Sequence, residues 1–204
     1  TLIDKGEVGH GCSYGNAGWL SPCFATPLGM PGMLGKSISW LLDRDSSLYI
    51  QPRLNLELLR WLLRFAGSMN RPQMRRSIEN LTALALYSLE TYWQLDQEQP
   101  GAFGFQQKGL LAVAQTATAL HKARQEMEMA VSCGVAAEAV DHDQLLQIDP
   151  AVTGKVVGGV WYPKEAHVEP LATVKALAKR ATDRGATILP NTEVFDLSTR
   201  GRRI

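Results

Sequence analysis

Asp4 closes a short run of β-forming residues, Thr1-Leu2-Ile3. A carboxylate at the C-terminal end of a parallel strand is where dinucleotide-binding folds accept hydrogen bonds from an adenosine ribose, and it suits that task because it takes two donors at once. Strands also end in Asp for solvation or turn formation. The glycine-rich phosphate fingerprint that separates these readings is expected about 20 residues upstream, before Thr1.

Glycines at 6, 9, 11, 15 and 18 make the next segment a long loop with an accessible backbone, where a ligand could meet the main chain. Cys12 lies in it, and a lone cysteine reads as a small apolar residue. Cys12, Cys23 and Cys133 form no CxxC pair and an odd number cannot all pair, which argues against a disulfide-stapled secreted domain and for a reducing compartment, the cytoplasm. No second His or Cys falls at ligand spacing from His10 or His167, so these read as solvated loop residues and no metal is expected. His121 and His142 read as surface residues beside a helix start and a cap.

Twenty-one Lys and Arg against twenty Asp and Glu leave a formal charge of +1, without the basic excess of a nucleic-acid footprint. Hydrophobic residues at 45% and charged residues at 20% match globular usage. Arg, Glu, Asn or Gln breaks every apolar stretch before the roughly 18 residues of a membrane span.

The elements that must position the loop follow from pattern. Thr1–Asp4 reads as a buried strand, prolines 22, 27 and 31 keep residues 21–35 irregular, and a helical piece covers Gly35–Leu42. Leu54, Leu58, Leu62 and Phe65 recur at helical spacing up to Gly67, and Arg71-Pro72 opens a longer helix to about Leu95. Arg53, Arg60 and Arg64 between those leucines would suit a helix resting on a membrane, but the apolar arc is broad, and core packing is the preferred reading. Tyr49, Tyr87, Tyr92 and Trp93 are likewise read as core. Phe103–Ala114 suits a hairpin or two short strands, Thr116–Cys133 a helix ending at Gly134, Asp143–Ile148 a short helix capped by Asp141, and Val156–Trp161 a strand. Pro170 starts a helix running to Arg184, and Ala186–Pro190 and Glu193–Leu197 read as final strands. The fold class is mixed α/β, a nucleotide-binding sheet interrupted by an α-rich domain.

The segment Thr1-Leu2-Ile3-Asp4 followed by Gly11-Cys12-Ser13-Tyr14-Gly15-Asn16-Ala17-Gly18-Trp19-Leu20-Ser21-Pro22 resembles the D-amino-acid dehydrogenase group of the FAD-dependent oxidoreductases of D-amino-acid-oxidase type. Further likenesses lie in Pro27–Leu42, Asp149-Pro150-Ala151-Val152, Gly158-Gly159-Val160 with Tyr162-Pro163, His167-Val168-Glu169-Pro170, and Gly185–Val194. They span nearly the whole chain.

This resemblance implies an FAD-binding dinucleotide fold made of residues 1–42 and 166–204, with residues 43–165 as an α-rich substrate domain. It implies FAD as cofactor, with Asp4 accepting the adenosine ribose hydroxyls and Lys5 beside it in the cofactor site. Cys12 and Ser13 would lie near the phosphates, Asn16, Ala17 and Gly18 beside the flavin, and Val194, as the first residue of a strand, would present its backbone to the adenine. Cys12 stands where the group commonly has Thr. The implied activity is oxidative deamination of D-amino acids to 2-oxo acids and ammonia, with an amino acid as the small-molecule substrate. A membrane quinone would be the electron acceptor, and the protein would sit peripherally on the inner membrane. The catalytic residues are left open. A glycine- or sarcosine-type amine oxidase of the same fold, and a non-catalytic fragment, are the competing readings. Thr1–Asp4 and Gly201-Arg202-Arg203-Ile204 both read as interior sequence of a longer protein, so the isolated chain is expected to be inactive.

Overall fold

The computed structural model describes residues 1–25, 27, 55–196 and 198. The expected helix over Gly35–Leu42, Tyr49 and the proposed boundary at residue 42 lie outside them.

Five α-helices pack with seven short strands among the described residues. The strands are β1 (Leu2–Ile3), β2 (Trp19–Leu20), β3 (Leu110–Ala114), β4 (Glu138–Val140), β5 (Gly158–Tyr162), β6 (Ala166–His167) and β7 (Ile188–Leu189). The helices are α1 (Leu56–Ser68), α2 (Arg71–Glu98), α3 (Ala117–Ser132), α4 (His142–Ile148) and α5 (Pro170–Asp183), and a single 3-10 turn spans Pro22–Phe24. The architecture is mixed α/β.

Side chains at the helix starts explain where they begin. Asn55, Asn70 and Thr116 accept hydrogen bonds from the backbones of Glu57, Gln73 and Ala119, satisfying donors that have no partner inside the first turn. Asp141 and Gln144 form a reciprocal capping box at α4. At α5 the carboxylate of Glu169 accepts from Leu171 and Ala172, and Pro170 occupies the first turn.

The largest sheet is antiparallel, in the order β3-β5-β4, with Leu110 opposite Tyr162 and Glu138 opposite Trp161. On its helical side, Val160 and Tyr162 join Ala130 and Val135 in the core, with Leu110, Ala112 and Cys23 packed against them. Two small pairings hold the ends of the chain: β1 runs parallel to β7, and β2 runs antiparallel to β6.

Several sequence expectations need correction. Over Phe103–Ala114, where a hairpin or two short strands are expected, only Leu110–Ala114 is a strand, because Gln106 makes an isolated bridge to His167 instead of pairing within the segment. Among the described residues β1 pairs with one neighbour, and it is not buried, Leu2 and Ile3 being 54% and 46% exposed. Glu193–Asp196 is not a strand. Asn191 adopts a left-handed φ of 53°, and the bonds from Asn191 and Thr192 to Gly6 and Asp4 carry the chain across the end of β1 instead of along it. Val194 and Phe195 are therefore exposed.

Helix α1 buries none of its residues fully: Leu58, Leu62 and Phe65 of the expected stripe are half-buried, while Leu56, Leu59, Trp61 and Leu63 stand open, so among the described residues the expected core packing is partial. Tyr87 and Trp93 are also exposed, whereas Tyr92 packs edge-on against buried Phe103 with ring centroids 6.2 Å apart. No helix of the described residues is long and apolar enough to cross a membrane.

Candidate functional site

The parallel pairing of β1 with β7 determines the surroundings of Asp4. Leu2 lies opposite Ile188 and Ile3 opposite Leu189, so Asp4 falls just past the C-terminal end of both strands. Its N–H donates to Leu189 at 3.1 Å, and its carbonyl accepts the Thr192 N–H at 2.8 Å. One carboxylate oxygen takes the Gly6 N–H at 2.9 Å, and the side chain remains exposed, as does Lys5. Asn191 completes the corner by donating its backbone N–H to Gly6 and its side-chain amide to Glu7. Val194 stands two residues beyond Thr192. Asp4 and the return segment that leads to Val194 are thus tied together, although they are 188 residues apart in sequence to the anchoring Thr192.

The loop after Lys5 turns back repeatedly on itself. His10 bonds to Glu7, Tyr14 to Gly11 and Asn16 to Ser13, all through the backbone. The rings of His10 and Tyr14 contact each other at 5.1 Å. Gly9 lies against α5, where a Cβ would come within 2.8 Å of Leu171. Ser13 is half-buried, while Cys12, Asn16 and Ala17 are exposed. The small apolar burial expected of Cys12 is not found; the turns of this loop hold it at the surface.

Gly18 is the fixed point of the segment. Its φ is +71°, and a Cβ there would stand 2.0 Å from the Val168 carbonyl oxygen, so only glycine fits. Asn16 accepts the Gly18 N–H at 2.7 Å, and the Gly18 carbonyl accepts the Val168 N–H at 2.9 Å. β2 then continues on β6, with Trp19 opposite His167. His167 is consequently half-buried in a strand rather than free in a loop. Asn16, Ala17 and Gly18 are gathered at one place, and Asp4 and the approach to Val194 at another, with the loop and the N-terminal end of α5 between them.

A polar cluster beside this segment escaped the sequence reading. Glu165 is only 2% exposed, yet it lies in the tight link between β5 and β6. Its Oε1 accepts the Cys23 N–H at 3.1 Å, while its Oε2 and the Ser21 hydroxyl, both buried, have no hydrogen-bond partner among the described residues. Burial pushes the Glu165 carboxyl above its ordinary value, against the lowering effects of the Cys23 N–H, the Ser21 hydroxyl and the Cys23 thiol. Burial, reinforced by Glu165, pushes the Cys23 thiol up to about 12, and burial with Cys23, Glu126 and Glu165 nearby pushes the Tyr162 phenol to about 12. Cys23 and Tyr162 face a cavity of about 320 Å³ that also touches Met74, Ile78 and Met129. The sequence carries one weak signal: a charged residue in the turn that follows the Val156–Trp161 strand, which reads as an ordinary surface turn.

Comparison with known proteins adds the family. The family model for FAD dependent oxidoreductases matches residues 1–204. A D-amino acid dehydrogenase 2 of Ralstonia nicotianae is 35% identical over 170 residues, covering 81% of this chain and 40% of that protein. A D-amino acid dehydrogenase of Vibrio atlanticus is 26% identical over 208 residues, covering 100% of this chain and 50% of the other. The chain thus spans about half or less of the length of these relatives. Among solved structures, the glycine oxidase of Geobacillus kaustophilus superposes with a TM-score of 0.64 at 20% identity, over 95% of this chain and 40% of that one. The glycine oxidase of Bacillus cereus gives a TM-score of 0.55 at 29% identity over 59% of this chain and 34% of its own. An FAD-bound L-alpha-glycerophosphate oxidase of Mycoplasma pneumoniae gives 0.59 at 15% identity over 98% and 40%. Low-identity neighbours of this kind establish the fold, and with the match along its full length the chain belongs to the FAD-dependent oxidoreductase family.

Proposed function

We propose that this chain is part of an FAD-dependent dehydrogenase that converts D-amino acids to 2-oxo acids and ammonia. The observation that carries the reading is the corner formed by Asp4 and Thr192. An exposed carboxylate at the end of two parallel strands, with the return segment bonded to its backbone, suits an adenosine ribose on Asp4 and an adenine beside the main chain near Val194. The residues present fit the cofactor at the other end too. Gly18 has no room for a side chain, and the neighbouring Ala17 is small and exposed, so the backbone of Asn16–Gly18 is free to approach a flat ring.

When bound, FAD supplies the hydride-accepting chemistry. The chain's own part is to hold the two ends of the cofactor at a fixed separation. Asp4 and Lys5 take the ribose end, Cys12 and Ser13 the phosphate region, and Asn16, Ala17 and Gly18 the flavin end. Residues 1–42 and 166–204 form the FAD-binding part and residues 43–165 the substrate part; the β1–β7 pairing, which joins the two outer segments, supports this division.

Electrons leave to a membrane quinone, with the protein peripheral on the membrane. The exposed leucines and Trp61 of α1, set beside Arg60 and Arg64, support such a seat: apolar side chains enter the lipid boundary and arginines meet anionic headgroups. A glycine-type oxidase is the second reading, favoured by the fold shared with two glycine oxidases. Assaying the FAD-loaded enzyme with D-alanine and glycine, while measuring both peroxide and reduction of a soluble quinone, tests the proposal. Quinone reduction with D-alanine and little peroxide is expected; peroxide formation with glycine overturns it in favour of the oxidase.

A further inference from the structure

We infer that Glu165 is a positioning residue: held as a neutral carboxylic acid, it clamps the turn that ends the flavin-facing segment. The inference rests on the flavin lying beside Asn16–Gly18, as proposed above, and on geometry independent of that reading.

Glu165 connects three pieces of chain. Its side chain takes the Cys23 N–H, its carbonyl takes the Gly109 N–H at 2.9 Å, and its own N–H donates to Tyr162. It directly precedes Ala166, which pairs with Leu20 in β2. β2 is therefore gripped along its length by β6 and closed at its far end by the Glu165–Cys23 bond. Upstream, Gly18 is bonded to Val168 on the same return strand. The backbone between Gly18 and Cys23 has one path left.

The environment favours the protonated acid. Ionised carboxylates are rarely buried without a cation, since leaving water costs several kcal/mol that only an ion pair or several donors offset. Glu165 takes part in none of the ion pairs among the described residues. Among the described residues the titratable groups beside it are Cys23 on the turn and Tyr162 on β5, with Glu126 on α3 acting on Tyr162; none of these is cationic, and the neighbouring Lys164 is exposed. Among the described residues the polar groups beside the carboxyl are the Cys23 N–H, the Ser21 hydroxyl and the Cys23 thiol; each favours the charged form, and burial outweighs them, raising the carboxyl's hold on its proton.

The test uses wild type, Glu165→Gln and Glu165→Ala. Glutamine keeps a neutral acceptor and one donor group, whereas alanine removes both. Infrared difference spectra of wild type against Glu165→Gln at neutral pH are expected to show the carbonyl stretch of a protonated acid. Amide hydrogen exchange at Cys23 is expected to accelerate about tenfold in Glu165→Ala and to stay near the wild-type rate in Glu165→Gln, as for the loss and retention of one hydrogen bond. In the FAD-loaded protein, Glu165→Ala is expected to shift the flavin absorption bands, with Gln restoring them. A carboxylate band in the wild type, or unchanged exchange at Cys23 in Glu165→Ala, overturns the inference. Faster exchange with an unshifted flavin spectrum overturns the link to the flavin segment. The first two measurements need no cofactor, so failure of the wild type to bind FAD sinks the functional proposal separately, while the Glu165–Cys23 clamp is still decided.

Discussion

Gly18 and Val168 meet backbone to backbone: the Val168 N–H donates to the Gly18 carbonyl at 2.9 Å, and the Val168 carbonyl oxygen occupies the place a Gly18 side chain would need. One contact therefore joins the loop expected beside the flavin to the strand that leads into α5. Gly18→Ala must adopt an unfavourable φ and displace main chain that cannot yield, which is expected to lower stability by more than about 2 kcal/mol. Urea unfolding checks this, and a variant as stable as wild type would show that the two segments separate without penalty.

Glu169 acts on the other side of that contact. Its carboxylate caps α5 through Leu171 and Ala172, and its backbone carbonyl also accepts the Thr173 hydroxyl. Glu169→Ala is expected to cost about 1 to 2 kcal/mol, the usual loss when an N-cap acceptor and a charge at the positive end of a helix are removed. Glu169→Asp, which retains a cap, should recover most of it in thermal unfolding.

High pH should find the Cys23–Tyr162 cluster. Both groups titrate near 12 when folded, against ordinary values of 9.0 and 10.0. The unfolded chain thus releases these protons first, so their contribution is complete below pH 9 and is lost as pH climbs from 9 to 12. Glu165, also raised, adds a decline that begins above its ordinary value of 4.5. Unfolding midpoints measured across this range should fall less steeply for Tyr162→Phe and Cys23→Ala than for wild type. Parallel slopes in all three would remove these groups from the linkage.

Helices were legible in the sequence because their signals are local. Pro72 at α2, Asp141 before α4 and Pro170 at α5 are caps and first-turn residues that act within a few positions. The two-residue strands β2 and β6 were not legible, since each exists only through a partner about 150 residues away. The same is true of Glu165, whose importance comes from Cys23, 142 positions distant. Val194 was expected in a strand on its β-forming neighbours, but the left-handed Asn191 and the bonds to Gly6 and Asp4 override that propensity. Asp4 and the glycine loop stood out as candidates because strand, carboxylate and glycines fall in one contiguous stretch.

Asp4→Ala in the FAD-loaded enzyme is expected to weaken FAD binding by about one to two decades, the value of a charge-assisted hydrogen bond of roughly 1.5 to 3 kcal/mol. Asp4→Asn, which keeps an acceptor oxygen, should lose less. Fluorescence titration with FAD measures both, and equal affinity in all three proteins would place the ribose elsewhere.

Oxidation of an amino acid by the bound flavin is decided by mixing the FAD-loaded enzyme with D-alanine in the absence of oxygen while the flavin absorbance is followed. Bleaching of the oxidised flavin band, with pyruvate and ammonia formed in equal amounts to the flavin reduced, is the predicted result. An oxidised spectrum that persists with D-alanine and other D-amino acids would contradict the assignment of this chain to an amino-acid dehydrogenase.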